Sequence, residues 1–586
     1  MDRLEGGYLL HKADPIMTGW AKHTVGLEGR PISAMDLEAT NLMQNTAWAV
    51  DRGVESVARE LFAASVSGFG GNQWRRAEDG AFSPIPTDTF LPLPAPVDPT
   101  VWETMDDVAR RPIKQARAKV FRENDARKGK RFGFEFAMDT ADRMLEHPEF
   151  YFVVQHDFRL RRYFASAGGL NPQGSDIQKA LLRFSRGMAL GASGYFWLCI
   201  RAANTFGGGV EKMSLNDRYE WAVANGSLFE KIAANPTNFD LWHFTGAEKN
   251  GRREETDEPW SFLATALELA QANRCADRAD FISHLSVPMD GTCNGLQHLS
   301  AMGLDEIGGE ATNLVPGLPR QDCYLRVLQA AMVVLERDSA AGHELAKLWL
   351  PNMHRGVVKR GVMTTPYGVT DSGIQRQLLQ DGMVPDSEHN AREASAYMRD
   401  VILEALGATV VQAKRIMAWL QASAEALGKA NRPMDWVNPN GSTLRQAYYK
   451  RKETRVETLV GRAQFFEEVA GGLIDAKKQA LGAAPQVVHS FDAAHLARTV
   501  VRANRDHGVV DFAMIHDSYG CHAGRTEAMA HTLRAAFRDI YRVDWLGVLA
   551  EKFRAQGRDL GVEITDPPAR GSLDIDGVMD AEFFFS

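Results

Sequence analysis

Long uncharged apolar runs are missing from this 586-residue chain. One of the longest lies between Arg186 and Arg201; it is too short to span a bilayer and reads as a buried core helix. The opening Met1-Asp-Arg-Leu-Glu5 has no apolar h-region, so no signal peptide is expected, and the chain reads as soluble and cytoplasmic. Cysteine is scarce. The five residues Cys199, Cys275, Cys293, Cys323 and Cys521 are scattered and odd in number, which favours free thiols in a reducing cytosol over a disulfide framework. Neither Cys521-His522 nor Cys293 with His298 belongs to a four-ligand zinc spacing. Positive charge is not in excess: the net charge is −8, so a nucleic-acid site has to be a local basic groove. There is no internal repeat and no Walker or Rossmann glycine loop, which argues against a helicase or an ordinary ATPase. What remains is ordinary globular composition, 45% hydrophobic and 24% charged, long enough for several subdomains.

The informative stretch is Val287-Pro-Met-Asp-Gly-Thr-Cys-Asn-Gly-Leu-Gln-His-Leu-Ser-Ala-Met302. An apolar approach through Leu285, Val287 and Met289 ends on Asp290. Gly291 follows, and Leu296, Leu299, Met302 and Leu304 then mark a helical face. A strand-to-helix corner with an acid at its tip suits a divalent cation held against a phosphate, though an N-cap or a solvated turn has the same pattern. Phe512-Ala-Met-Ile-His-Asp-Ser-Tyr-Gly520 is a second apolar run ending on an acid, Asp517. Between the two, Arg355, Lys359, Met363 and Tyr367 recur every four residues and are expected on one helical face, which Pro366 and Gly368 close. Two acids on two turns and a cationic helix face make up the parts of two-metal phosphoryl transfer on a nucleotide.

Other features are less specific. Ser33-Ala-Met-Asp36 resembles a capping box and predicts a long amphipathic helix with Leu42, Trp48, Val54, Val57, Leu61 and Phe62 on its apolar face. Six prolines between residues 81 and 100 predict a semi-rigid linker. From Arg110 to Arg131, ten Lys or Arg face two acids; that is a solvated helix face or a helix that grips a phosphate backbone. Arg159 and Arg161 point to one side if their segment is extended. Tyr448 and Tyr449 beside Lys450 and Arg451 suit nucleic-acid contact, as an exposed hairpin also would. Asp492 is placed to cap a helix that runs to about His507 and stops at Gly508.

At Asp290, His354–Gly368 and Asp517 the chain closely resembles motifs A, B and C of the bacteriophage-type single-subunit DNA-directed RNA polymerases, in that family's order. The resemblance runs from about Gly6 to the ending Phe583-Phe-Phe-Ser586. It implies an α+β, mostly helical right-hand polymerase fold of thumb, palm and fingers with a small antiparallel palm sheet. The implied divisions are an irregular N-terminal segment (1–32), a thumb-like helical region with the proline-rich linker (33–147), and a palm with a helical insertion and motif A (148–306). Fingers with motif B and a specificity-hairpin-like region (307–488) and a palm with motif C and the C-terminal tail (489–586) complete the order.

By the same resemblance, Asp290, Asp517 and the Gly291 carbonyl hold two Mg²⁺ ions. Arg355 and Lys359 meet the triphosphate, Lys359 also giving a proton to the leaving group. Tyr367 closes the base-pair pocket and senses the 2′-hydroxyl with His489. Arg161 lies near template and transcript, and Lys179 contacts a phosphate. The partners implied are a DNA template, an RNA transcript and NTPs, with no membrane, in the cytoplasm of a bacterial host.

Three departures stand out. Leu160 and Arg162 occupy positions where glycine and an apolar residue are usual. The promoter-reading hairpin region is a few residues shorter, with Phe465-Phe-Glu-Glu468 at its centre. The resemblance also begins where family members have already built an N-terminal domain, which leaves a minimal enzyme, a fragment and half of a split polymerase open. A separate promoter-opening factor or N-terminal subunit is the extra partner this suggests. The rival enzyme, a related single-chain DNA polymerase, carries glutamate where Gly295 stands and His-Asp-Glu where His516-Asp-Ser518 stands. A non-catalytic nucleic-acid binder would be expected to lack one of Asp290, Lys359 and Asp517, and all three are present.

Overall fold

The apolar strands flanking the two acids pair with each other. Ser286–Asp290 and Ala513–Ile515 lie on either side of Ser518–His522 in a three-stranded antiparallel sheet. Val287, Met289, Met514 and Tyr519 are buried, so one face of this small sheet is sealed by packing and its register is fixed. Against it runs the helix Ala476–His507, whose side chains from Ala483 to Leu496 are buried almost without interruption. Burial of Val487, Phe491 and Val500 stabilises this packing by roughly 1.5–3 kcal/mol each. The remaining sheets have two strands each, and helices make up most of the chain. This computed structural model describes residues 32–65, 84–86, 90–166, 168–249, 252–385, 389–458, 461–468 and 472–586. The expected N-terminal segment 1–32, apart from Ile32, and much of the proline-rich linker lie outside the described residues. Among the described residues no helix is long and apolar enough to cross a membrane.

The long helix expected after Ser33 is two helices, Ala34–Gln44 and Arg52–Ser65, with the strand Trp48–Val50 between them. The Ser33 hydroxyl caps the first by accepting from the Asp36 N–H at 3.1 Å. Trp48 leaves the helical pattern because it pairs with Phe184 across an antiparallel ladder and packs edge-on against Phe152 and Phe164. A distant strand overrides local propensity here.

Residues 157–161 are a tight hairpin turn between Val153–His156 and Arg162–Ala165, not an extended segment. Leu160 has φ +69 there, the left-handed conformation for which glycine is the usual residue. That conformation costs about 1–2 kcal/mol, and burial of the Leu160 side chain, 1% exposed, offsets it by a similar roughly 1.5–3 kcal/mol. One Asp157 oxygen also accepts from the Arg159 and Arg161 N–H groups, at 2.9 and 3.1 Å. Arg162 is buried, where it donates to Asp36, Thr40 and the Ala493 carbonyl. Asp36 in turn accepts from Ser33, Asn438, Asn440 and Ser442.

The basic run Arg110–Arg131 lies on the exposed helix Asp107–Met144. Phe244–Lys249 and Arg252–Glu255 pair as antiparallel strands inside the segment expected to be a helical insertion. Arg451–Thr458 and Gly461–Glu468 form another, in which Phe465 and Phe466 are exposed.

Candidate active site

Ser518 lies directly opposite Asp290 in the antiparallel ladder, so the turn before Ser518 brings Asp517 to the same end of the sheet. The Gly291 N–H donates to the Asp517 carbonyl at 3.2 Å and ties the two corners together. Both corners are sharp. Cys293 has φ +52 before the helix Asn294–Gly303, and His516 has φ +56 in the turn that presents Asp517.

Asp290 lines a cleft of about 720 Å³. The residue is exposed to that cleft while protein surrounds its carboxyl group closely. That desolvation raises its pKa above the ordinary carboxylate value, against a lowering hydrogen bond from Ser518. Asp517 is pushed up to about 7, by burial first and then by the charges of Asp492 and Asp290. Neither Asp290 nor Asp517 is ion-paired among the described residues. Two crowded hard oxygen donors with uncompensated charge, next to the Gly291 backbone, fit an oxygen-seeking divalent cation such as Mg²⁺. Among the described residues no cluster of three or more His, Cys, Asp or Glu is arranged to hold a metal, so these two carboxylates are the side-chain donors in question.

Arg355 and Lys359 lie one turn apart on the helix Arg355–Thr364, and both line the cleft. Arg355 is oriented by Asp322, whose Oδ2 accepts from the guanidinium at 2.6 Å while its Oδ1 caps the helix Cys323–Ala340. Tyr324 lies under the same guanidinium, 4.8 Å from ring centre to carbon. Lys359 is exposed to the cleft and has no ion-pair partner among the described residues.

Tyr367 is not on that helical face. The helix stops at Thr364, and Tyr367 sits in the following turn, which Gly368 completes at φ +76. The turn rests on Pro485 in the helix Ala476–His507. Proline has no N–H, so the Leu481 carbonyl loses its helical partner, and a Cβ on Gly368 would lie 2.9 Å from that oxygen. Docked there, the Tyr367 ring stacks on His489, one turn beyond Pro485, with centroids 4.6 Å apart and planes 14° from parallel. Burial first, then Arg161 and Arg159, push the His489 pKa down to about 3, so the ring is neutral at physiological pH. Gly295 faces the same tyrosine. A Cβ there would stand 2.8 Å from Pro366 Cβ and 3.2 Å from the Tyr367 ring.

Arg159 and Arg161 both reach the helix Ala476–His507. Arg159 meets His489 Nδ1 at 3.0 Å and Arg161 meets Asp492 at 3.2 Å. Asp492 is therefore no helix cap. The helix starts at Ala476 with Asp475 as its cap, and Asp492 lies buried in its middle. The Ala-rich stretch before it is a good helix former and carries the helix further back than a start at Asp492 implies. Lys179 lines the cleft and pairs with Glu258. Lys450 and Arg451 stand at the base of the paired strands Arg451–Thr458 and Gly461–Glu468 and do not line the cleft.

Sequence reasoning missed Arg201, Lys212, Arg320 and Asp322 on the cleft wall, and Asn294 and Asp492 behind it. Asp322 had a signal, an acid just before an apolar helical run; the others become neighbours only through tertiary packing. The chain end also reaches this site. The Ser586 N–H donates to the Asp290 carbonyl at 3.3 Å, Phe585 pairs with Gly291, and Gln297 donates to the Phe584 carbonyl at 3.0 Å.

Residues 188–562 match the family described as DNA-dependent RNA polymerase. The T7 RNA polymerase of Escherichia phage T7 is 29% identical over 94% of this chain and 64% of its own length. The DNA-directed RNA polymerase of Enterobacteria phage K11 is 30% identical over 94% of this chain and 62% of its own. The mitochondrial DNA-directed RNA polymerase 1B of Nicotiana tabacum is 30% identical over 99% of this chain and 56% of its own. The chain thus spans about six tenths of the length of these relatives. With the family match covering both acid-bearing corners and the cationic helix between them, the chain belongs to the DNA-dependent RNA polymerase family.

Proposed function

We propose that this protein is a DNA-directed RNA polymerase that transfers ribonucleoside monophosphates from NTPs to the 3′ end of an RNA on a DNA template. The observation that carries this reading is the pairing of Ser518 with Asp290, which sets two unpaired carboxylates at one end of a sheet, beside a cleft walled by Arg355 and Lys359.

In this reading Asp290, Asp517 and the Gly291 carbonyl hold two Mg²⁺ ions. When bound, the ions supply Lewis acidity at the RNA 3′-hydroxyl and charge neutralisation at the pyrophosphate. Arg355, held in place by Asp322, binds the triphosphate. Lys359 is free to reach the pyrophosphate and gives it a proton. Tyr367 and the neutral His489 form one flat wall that meets the ribose and base of the incoming nucleotide. Gly295 leaves no side chain over the 2′ position, in keeping with ribonucleotide use. Arg161 and Arg159 lie behind that wall toward template and transcript, and Lys179 serves a phosphate. Residues 33–147, 148–306, 307–488 and 489–586 take the parts of thumb, palm, fingers and returning palm.

The test is nucleotide addition on two templates with Mg²⁺ and rNTPs, with a parallel dNTP reaction. One template is an RNA primer in a pre-melted DNA bubble; the other is duplex phage DNA without primer. Extension on the bubble alone fits a catalytic hand that relies on a separate promoter-opening factor or N-terminal subunit, and transcripts from the duplex fit unaided initiation. Extension with dNTPs alone contradicts the reading.

A further inference from the structure

Asp492 has no part in the chemistry above, yet it is the buried carboxylate on which the site's other segments converge. Its Oδ1 accepts from the Asn294 amide at 2.8 Å, and its Oδ2 takes Arg161 at 3.2 Å. Asn294 opens the helix that follows Asp290, and Arg161 closes the 157–161 turn. Asp492 itself lies three residues after His489 on one helix, so it is one turn from the ring on which Tyr367 stacks. It is 3% exposed, and both oxygens are engaged.

Among the described residues neither partner has a second side-chain anchor. Arg161 Nε and Asn294 Oδ1 are buried without a hydrogen-bond partner. Removal of the Asp492 charge by an asparagine therefore frees the Arg161 guanidinium, while the amide oxygen left in its place still accepts from Asn294.

We propose that Asp492 is a positioning residue, the anchor that holds Arg161 and Asn294 in register with the Tyr367–His489 wall for the incoming nucleotide. This rests on the polymerase reading. A fixed guanidinium loses little freedom when substrate arrives, whereas a released one must be ordered at that moment, so the loss falls on nucleotide affinity.

The experiment compares wild type, Asp492→Asn, Arg161→Gln and the double variant in single-nucleotide addition on a preassembled RNA–DNA hybrid. The double variant buries no unpaired charge and keeps the comparison available if Asp492→Asn alone folds poorly. Each single change is expected to raise the rNTP KM about tenfold with a smaller effect on kcat, and the double variant to be no worse than Arg161→Gln. Unchanged KM with a reduced active fraction, or KM effects that multiply in the double variant, overturns the proposal. Thermal melting of the same four proteins needs no catalysis. If wild type binds the hybrid but adds no nucleotide, the polymerase reading falls, and additive melting shifts would separately overturn the Arg161–Asp492 coupling.

Discussion

The Tyr367 ring lies flat on the His489 ring, 4.6 Å away, and the turn that carries Tyr367 packs beside a proline of the helix that bears His489. Pro485 leaves a bare carbonyl on the helix carrying His489, and Gly368 brings the Tyr367 turn down onto it. A Gly368→Ala change puts a Cβ 2.9 Å from that carbonyl at a φ of +76, where a side chain is strained. It should lift Tyr367 from His489 and lower kcat/KM for rNTPs about five- to thirtyfold, the equivalent of ~1–2 kcal/mol of left-handed strain. Steady-state extension assays check this, and a wild-type value contradicts it.

Tyr367→Phe keeps the stack and removes the hydroxyl. The expected outcome is a nearly unchanged rNTP rate with relaxed selection against dNTPs. Competition between rNTPs and dNTPs at one template position measures it, and unchanged discrimination refutes the ribose-sensing role.

The buried pair Asp36–Arg162 stands where an apolar packing residue was the expectation at 162. Arg162→Met strands the Asp36 carboxylate and should destabilise the fold by about 3–5 kcal/mol. Asp36→Asn with Arg162→Met removes both charges while keeping one side-chain oxygen as the acceptor for Asn440, so it should regain part of that loss. Thermal melting of the three proteins decides, and a double variant no better than Arg162→Met contradicts the pairing.

How much of this was legible beforehand follows a physical line. Asp290 and Asp517 announce themselves locally, as apolar strands ending on an acid with glycine nearby, and Arg355 and Lys359 share a helical period. Trp48 looked helical because its strand partner Phe184 is distant in sequence. Tyr367 kept the four-residue spacing although the helix had ended three residues earlier. Asp492 read as a cap because its partners, Arg161 and Asn294, come from two other parts of the chain. Periodicity reports local structure; which charges face each other inside is set by tertiary packing.

Stability should fall in mild acid. Burial holds His156, His298 and His489 down to about 3, and His495 and His516 down to about 4. The unfolded chain takes up those protons near pH 6.5. The stabilisation is thus fully present above about pH 6.5 and is lost as pH falls toward 4. The carboxyls of Asp51, Asp176, Asp257, Glu268, Asp290 and Asp517, raised first by burial, act in the opposite direction, while the depressed Asp36, Asp492 and Asp511 add to the effect of the histidines. Melting temperatures at pH 7.5 and 5.0 and matched ionic strength should differ, with the acid value lower. An equal or higher value at pH 5.0 contradicts the buried-histidine assignment.

The central claim is that Asp290 and Asp517 together make ribonucleotide addition possible. Its most direct test is extension of an RNA primer annealed in a pre-melted DNA bubble, with Mg²⁺ and rNTPs, by wild type, Asp290→Asn and Asp517→Asn. Extension is expected from wild type and from neither variant, with all three melting as folded proteins. Wild-type-like extension by either variant would contradict it.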